Sequence, residues 1–162
     1  MKRNIIKYLL WGLLILFIGA QFFRIDKTNP PADPASDFLK LNPPPEHLAI
    51  LIKDACYDCH SNHSEYPWYT NIAPVSWWVK NHINEAREHL NFSTWASYDA
   101  EKADHKLEEC NEEVANGNMP LKSYTWMHLE AKLTEAQRKE LADWFDNLRI
   151  ASRYQNNETE SD

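Results

Sequence analysis

Residues Cys56-Tyr57-Asp58-Cys59-His60 place two thiols and an imidazole within five consecutive positions, in the pattern C-x-x-C-H. Two thiols separated by two residues can each add to one vinyl group of the same porphyrin. The imidazole directly after the second thiol then lies beneath the ring, where it can bind iron. Any fold that carries this chemistry has to be built around a flat, largely apolar macrocycle. Two other chemistries use paired cysteines. A zinc site wants a second Cys or His pair at close spacing, and the remaining cysteine, Cys110, stands alone. A redox dithiol of the thioredoxin kind wants a βαβ context, which the sequence pattern lacks. The motif therefore predicts one covalently bound haem c per chain, with Cys56 and Cys59 as thioethers and His60 as an axial iron ligand.

The N-terminus constrains where this chemistry takes place. Lys2, Arg3 and Lys7 are basic, and residues 8–20 carry no charge or polar amide. Gln21 interrupts, and Phe22 and Phe23 continue the apolar run. Such a run suits an uncleaved membrane anchor, since a spanning helix takes ~17–25 residues. A secretory signal has a shorter apolar region and a small-residue cleavage site, and Ile18-Gly19-Ala20 matches that site poorly. The basic flank predicts N-in, C-out insertion in the inner membrane, with the haem domain facing the periplasm. Covalent haem attachment after export then implies c-type maturation machinery as a partner.

All 24 acidic residues lie after residue 23, with 14 of the 17 basic ones. This balance argues against nucleic acid, which is bound through basic patches. It suits a solvated acidic surface or a face for a basic redox partner.

The boundaries read as an anchor over 1–23, a Pro-rich linker over 24–45, a haem-binding domain over 46–154 and a disordered acidic tail over 155–162. The linker holds six of the nine prolines. Extended polyproline backbone there would hold the domain away from the bilayer. Between linker and tail the pattern is helical. A short apolar run from His47 leads into the haem motif. A second helix, from Ala73 to Leu90, carries Pro74 in its first turn. A third places Ala100, Ala103, Leu107, Cys110 and Val114 at steps of three and four and stops at Asn116-Gly117. The last begins at Thr134 with a T-x-x-Q capping box and carries Leu141, Trp144, Phe145 and Leu148 as its apolar stripe. No alternating strand and no internal repeat is present. The fold class is all-α, a cytochrome c-like helical domain around one haem plus an N-terminal transmembrane helix.

The sixth iron position decides function, because an open site binds small ligands whereas sulfur or a second imidazole favours electron transfer. After the N-terminal run the methionines are Met119 and Met127. Met119 lies in Gly117-Asn118-Met119-Pro120, which contains the only glycine after residue 19. A glycine there, with proline just after the methionine, implies a shaped loop between helices that can present a thioether to iron. Met127 has no such context and suits packing. His82 and His89, seven apart on one helix face, are the competing ligands. Trp68 or Tyr69 could donate a hydrogen bond to a haem propionate.

Taken together, these segments resemble the bacterial haem-binding domain family. The resemblance rests on Cys56–Asn62, Tyr66-Pro67-Trp68-Tyr69, Ile72–Val79, Leu90–Trp95 and Asn118-Met119-Pro120, and it implies haem binding. More distantly, the order of helix, C-x-x-C-H, helices, methionine loop and final helix looks like a mono-haem cytochrome c. That resemblance implies a proline whose carbonyl accepts from the axial imidazole; Pro74 is the better match and Pro67 the alternative. The resulting expectation is electron transfer with His60 and Met119 as axial ligands, and no enzymatic activity. A second reading is a haem sensor or small-ligand-binding module with a displaceable sixth ligand. A third, a peroxidase-like enzyme, needs an open iron and distal acid–base groups.

Overall fold

The computed structural model describes residues 2–159. Among them the regular structure is helical, and there is no strand. The framework is an antiparallel pair, α6 (Ala100–Ala115) and α8 (Glu135–Thr159). Asp99 caps α6 by accepting from the Lys102 backbone N–H, and Thr134 and Gln137 form the expected reciprocal box ahead of α8. The apolar stripes face each other, and Leu107, Cys110, Val114, Leu141 and Phe145 are buried together. Arg138 reaches the Val114 carbonyl at one end of the pair, and Arg149 reaches Asp104 and Glu108 at the other. α8 runs on to Thr159. The tail expected to be disordered from Gln155 is therefore helical as far as that residue, and residues 160–162 lie outside the described region.

Against this pair pack the segments that carry the motifs. α3 (Glu46–Ile52) continues through a wider π-turn, Lys53–Tyr57, into the short α4 (Asp58–His60). α5 (Val75–His89) starts at Pro74 and ends at Leu90. Short α7 (Lys122–Thr125) follows the methionine loop.

The Pro-rich stretch is not a free linker. It is a strap laid across the domain. Asn29 donates to the Ser64 carbonyl, the Pro31 carbonyl accepts from Asn62, and Asp37 accepts from the Tyr57 hydroxyl at 2.9 Å. The strap ends in α2 (Phe38–Leu41), and Phe38 is completely buried. Its ring lies 4.9 Å from Phe92, 4.5 Å from Trp95 and 5.8 Å from Trp144. The boundary expected at residue 46 therefore cuts through the core. Polyproline backbone has no internal hydrogen bonds, so its carbonyls are free to bond across to a neighbouring surface, as that of Pro31 does here.

α1 (Lys2–Ala20) is an apolar helix whose side chains from Asn4 to Gly19 are all exposed. Among the described residues no helix is long and apolar enough to cross a membrane. The expected transmembrane helix is thus not found as such; α1 is about 28 Å long at 1.5 Å per residue, just under the ~30 Å hydrocarbon thickness.

Candidate functional site

One cavity of about 560 Å³ gathers most of the residues that the sequence singled out. Its size falls within the ~300–1,000 Å³ usual for small-molecule and cofactor sites. Cys56, Cys59 and His60 line it, and so does Met119, 59 residues further along the chain. Ala55, Leu90, Phe92, Val114, Leu121 and Phe145 give it apolar walls, while His82, Glu85, His89, His105, Glu109, Glu112 and Glu113 add polar groups. The aromatic core runs straight into the wall: Phe92, packed on Phe38, stacks on Tyr57 at 5.4 Å and meets the His60 ring edge-on at 6.4 Å.

The motif is held by its neighbours in sequence. Tyr57 and Asp58, its two intervening residues, both make anchoring bonds. Tyr57 donates to Asp37 on the strap, and Asp58 accepts from Tyr124 at 2.9 Å and from the Glu65 backbone. Just past the motif, the Ser61 carbonyl accepts from Arg87 at 2.7 Å, and the same guanidinium donates to Asn29 and Ser64. Asn62 is bonded to Ser93, Asn91 and the Pro31 carbonyl. Arg87, Asn29, Asn91 and Ser93 were missed as supports of the site. Each acts through a contact between distant segments, and no local pattern marks such a contact.

His60 shows what its ring can do. Nδ1 lies 3.1 Å from the Ala86 carbonyl and 3.2 Å from the Leu90 carbonyl. Nδ1–H donates there, which leaves Nε2 as the free, lone-pair nitrogen. A ligating histidine ordinarily has its other ring nitrogen fixed in this way. The carbonyls come from the C-terminal end of α5, where the Ala86 carbonyl also accepts from the Leu90 backbone N–H at 2.8 Å. Pro74 does not play the expected part: its carbonyl accepts from the Trp77 and Trp78 backbone, and Pro67 serves the Thr70 backbone and hydroxyl. Burial holds the His60 pKa below its ordinary value, which favours the neutral imidazole that iron requires. Burial also pushes the Cys56 thiol up to about 12 and the Cys59 thiol up to about 11, so both stay protonated near neutral pH. All three cysteines are free thiols, and Cys110 is buried as a small apolar residue.

Met119 sits in the turn that the glycine implied. Gly117 has φ +74°, a left-handed conformation that glycine adopts without penalty. The Asn118 and Met119 N–H groups both donate to the Glu113 carbonyl at 3.0 Å. Arg138 clamps the loop from α8, donating to the Val114 carbonyl at 2.6 Å and the Met119 carbonyl at 2.8 Å. A Cβ built on Gly117 meets only the Arg138 guanidinium, at 3.7 Å. Space is therefore no obstacle, and the backbone conformation alone sets the cost of a substitution. Gly117→Ala should lower stability by ~1–2 kcal/mol, read as a shift in the thermal midpoint of the purified protein.

Trp68 and Tyr69 do not join the cavity. Trp68 is exposed, and the Tyr69 hydroxyl bonds His128 Nε2 at 2.7 Å. Both were chosen because buried Trp and Tyr seek polar partners; Tyr69 found a histidine instead. Met127 is exposed rather than packed in the core. His82 and His89, the competing ligands, do line the cavity. Among the described residues no group of three or more His, Cys, Asp or Glu side chains is set to hold a metal ion.

The donor set fits haem on several counts. A large apolar cleft opens onto two reduced thiols, a neutral imidazole with a free Nε2, and a thioether on a braced loop. Comparison with curated proteins and with solved structures returned no match. The family model of the haem-binding domain matches residues 15–147, a span that takes in the strap, the motif, the Met119 loop and the first half of α8. The chain belongs to the haem-binding domain family.

Proposed function

We propose that the protein is a membrane-anchored, mono-haem c-type electron carrier. Cys56 and Cys59 would hold the haem as thioethers, and His60 and Met119 would ligate its iron. One observation carries the reading: a single cleft brings together Cys56, Cys59, His60 with its Nε2 free, and Met119 from a loop braced by Arg138. Bound haem supplies a one-electron iron couple. The chain's part is to hold two axial ligands so that neither has to move when the charge changes. His60 is fixed through Nδ1 and Met119 through its own backbone, while Phe92, Leu121 and Phe145 line the cleft with apolar surface. Such an arrangement supports electron transfer and no enzymatic turnover.

The anchor is α1. Its apolar side chains are exposed, and the basic residues in its first two turns favour the N-in orientation with the haem domain in the periplasm. Phe22, Phe23 and Arg24 extend its C-terminal end and suit an interfacial flank. A redox partner and the c-type maturation machinery are the implied partners.

Oxidised and reduced optical spectra, taken with and without carbon monoxide, test the axial pair. A six-coordinate protein should leave both spectra unchanged by carbon monoxide. Ready binding would make the sixth ligand displaceable and the protein a ligand-binding sensor. Haem staining after denaturing electrophoresis tests the attachment. A stained band at 19.0 kDa, shifted slightly by the haem, is expected when maturation genes are co-expressed. Cys56→Ala and Cys59→Ala should remove most of the stain, and Cys110→Ala should keep it. Haem lost to acid–acetone extraction would contradict covalent attachment.

A further inference from the structure

The residues that end the apolar N-terminal run are hydrogen-bonded to the haem domain, and those bonds fix a depth. The Gln21 amide makes a reciprocal pair with Ala73, donating to its carbonyl at 3.1 Å and accepting from its N–H at 3.0 Å. The Phe23 carbonyl accepts from Trp77 Nε1 at 2.7 Å. A segment bonded to residues 21 and 23 lies within a few ångströms of the level at which α1 would leave a bilayer. That level is the membrane–water interface, where tryptophan is enriched because its ring is apolar and its N–H is polar.

What the domain presents there is tryptophan. Trp77 is 41 % exposed, Trp78 48 % and Trp68 67 %, and Ile72 and Val75 between them are also exposed. Trp126, 78 % exposed, joins their margin: Tyr69, in edge contact with Trp68, hydrogen-bonds His128 two residues beyond Trp126. Tryptophans are mostly well covered in soluble domains, and a contiguous apolar patch marks an interaction site. Lys27 and Lys80 each lie over the Tyr66 ring, and Lys27 also donates to Asn71, next to Ile72, at 2.7 Å.

We infer that the face formed by Trp68, Ile72, Val75, Trp77 and Trp78 lies in the interfacial layer of the same bilayer that holds α1. The haem domain rests on the membrane surface through this face. The inference rests on the reading of α1 as a membrane anchor. Lipid is the occupant favoured over a second protein because the bonds to Gln21 and Phe23 set this face beside the headgroups in the chain's own anchored state.

The haem-loaded full chain can be tested in vesicles of phosphatidylethanolamine and phosphatidylglycerol. These would be doped with a phosphatidylcholine carrying a diazirine near the carbonyl end of one acyl chain. After irradiation and digestion, mass spectrometry should find label on peptides from α1 and from residues 66–80. In Trp68→Glu/Trp78→Glu the 66–80 label should be lost while the α1 label and the haem spectrum are kept. Label on α1 alone in the wild type overturns the surface contact and leaves the anchor standing. Label on neither removes both. Label on 66–80 that survives the double substitution also overturns the proposal, because these side chains would then not make the contact.

Discussion

Met119→Ala should turn a closed haem site into an open one. The wild-type oxidised protein should show a weak sulfur-to-iron charge-transfer band in the far red, and the variant should lack it. The variant should also bind carbon monoxide when reduced and cyanide when oxidised. A thioether favours ferrous iron, so its loss should lower the reduction potential by on the order of 100 mV, given that axial ligation spans ~0.8 V among haem proteins. The argument depends on how the loop is held. Arg138 and the Glu113 carbonyl grip the backbone of residues 118 and 119, so removing the side chain should leave the loop in place and the iron position exposed. Met127→Ala, on an exposed side chain outside the cavity, should change none of these readouts. If Met119→Ala keeps the band and still excludes carbon monoxide, the ligand is elsewhere, and His82 and His89, which line the same cleft, become the residues to replace.

Phe38→Ala should destabilise the domain by ~3–5 kcal/mol, the usual cost of emptying a fully buried phenylalanine site. That is a large fraction of the ~5–15 kcal/mol by which domains are stable at all. Four aromatic partners, Phe92, Trp95, Trp144 and Phe145, surround the ring, and none can move in to fill the space without leaving its own. Urea unfolding followed by far-ultraviolet circular dichroism reads the effect, with Phe38→Leu as the milder comparison. A cost under ~0.5 kcal/mol, typical of surface sites, would return residues 24–45 to the standing of a linker.

The contrast between these two residues shows what the sequence could carry. The Met119 loop was legible because it is written locally: a glycine that needs a left-handed backbone and a proline that ends helix. The capping box at Thr134 and the stripe Leu141–Leu148 were legible for the same reason, since period and cap are properties of neighbours along the chain. Phe38 was not. Proline composition reports how a segment's backbone is built and is silent on which surface that backbone lies against. The groups that hold the strap, Asn29 to Arg87 and Asp37 to Tyr57, are ordinary polar residues whose partners lie 58 and 20 positions away. The imidazole partner failed in a related way. A proline carbonyl was expected by analogy, but the carbonyls of Ala86 and Leu90 at the C-terminal end of α5 take that place. The same blindness applied to Trp68, expected to donate to a haem propionate and instead exposed outside the cleft.

The strap also sets how this protein can meet another. A domain hung on 22 free residues of polyproline-like chain could sweep out to about 70 Å from its anchor, at ~3.1 Å per residue, and could visit carriers dissolved in the periplasm. Asn29, Pro31, Asp37 and Phe38 remove that reach by fastening the chain to the domain along its length. With α1 in a bilayer, the encounter becomes a search in two dimensions. In that proposed setting the cleft would keep a fixed height and tilt, and lateral diffusion would bring membrane-held donors and acceptors to it already roughly oriented.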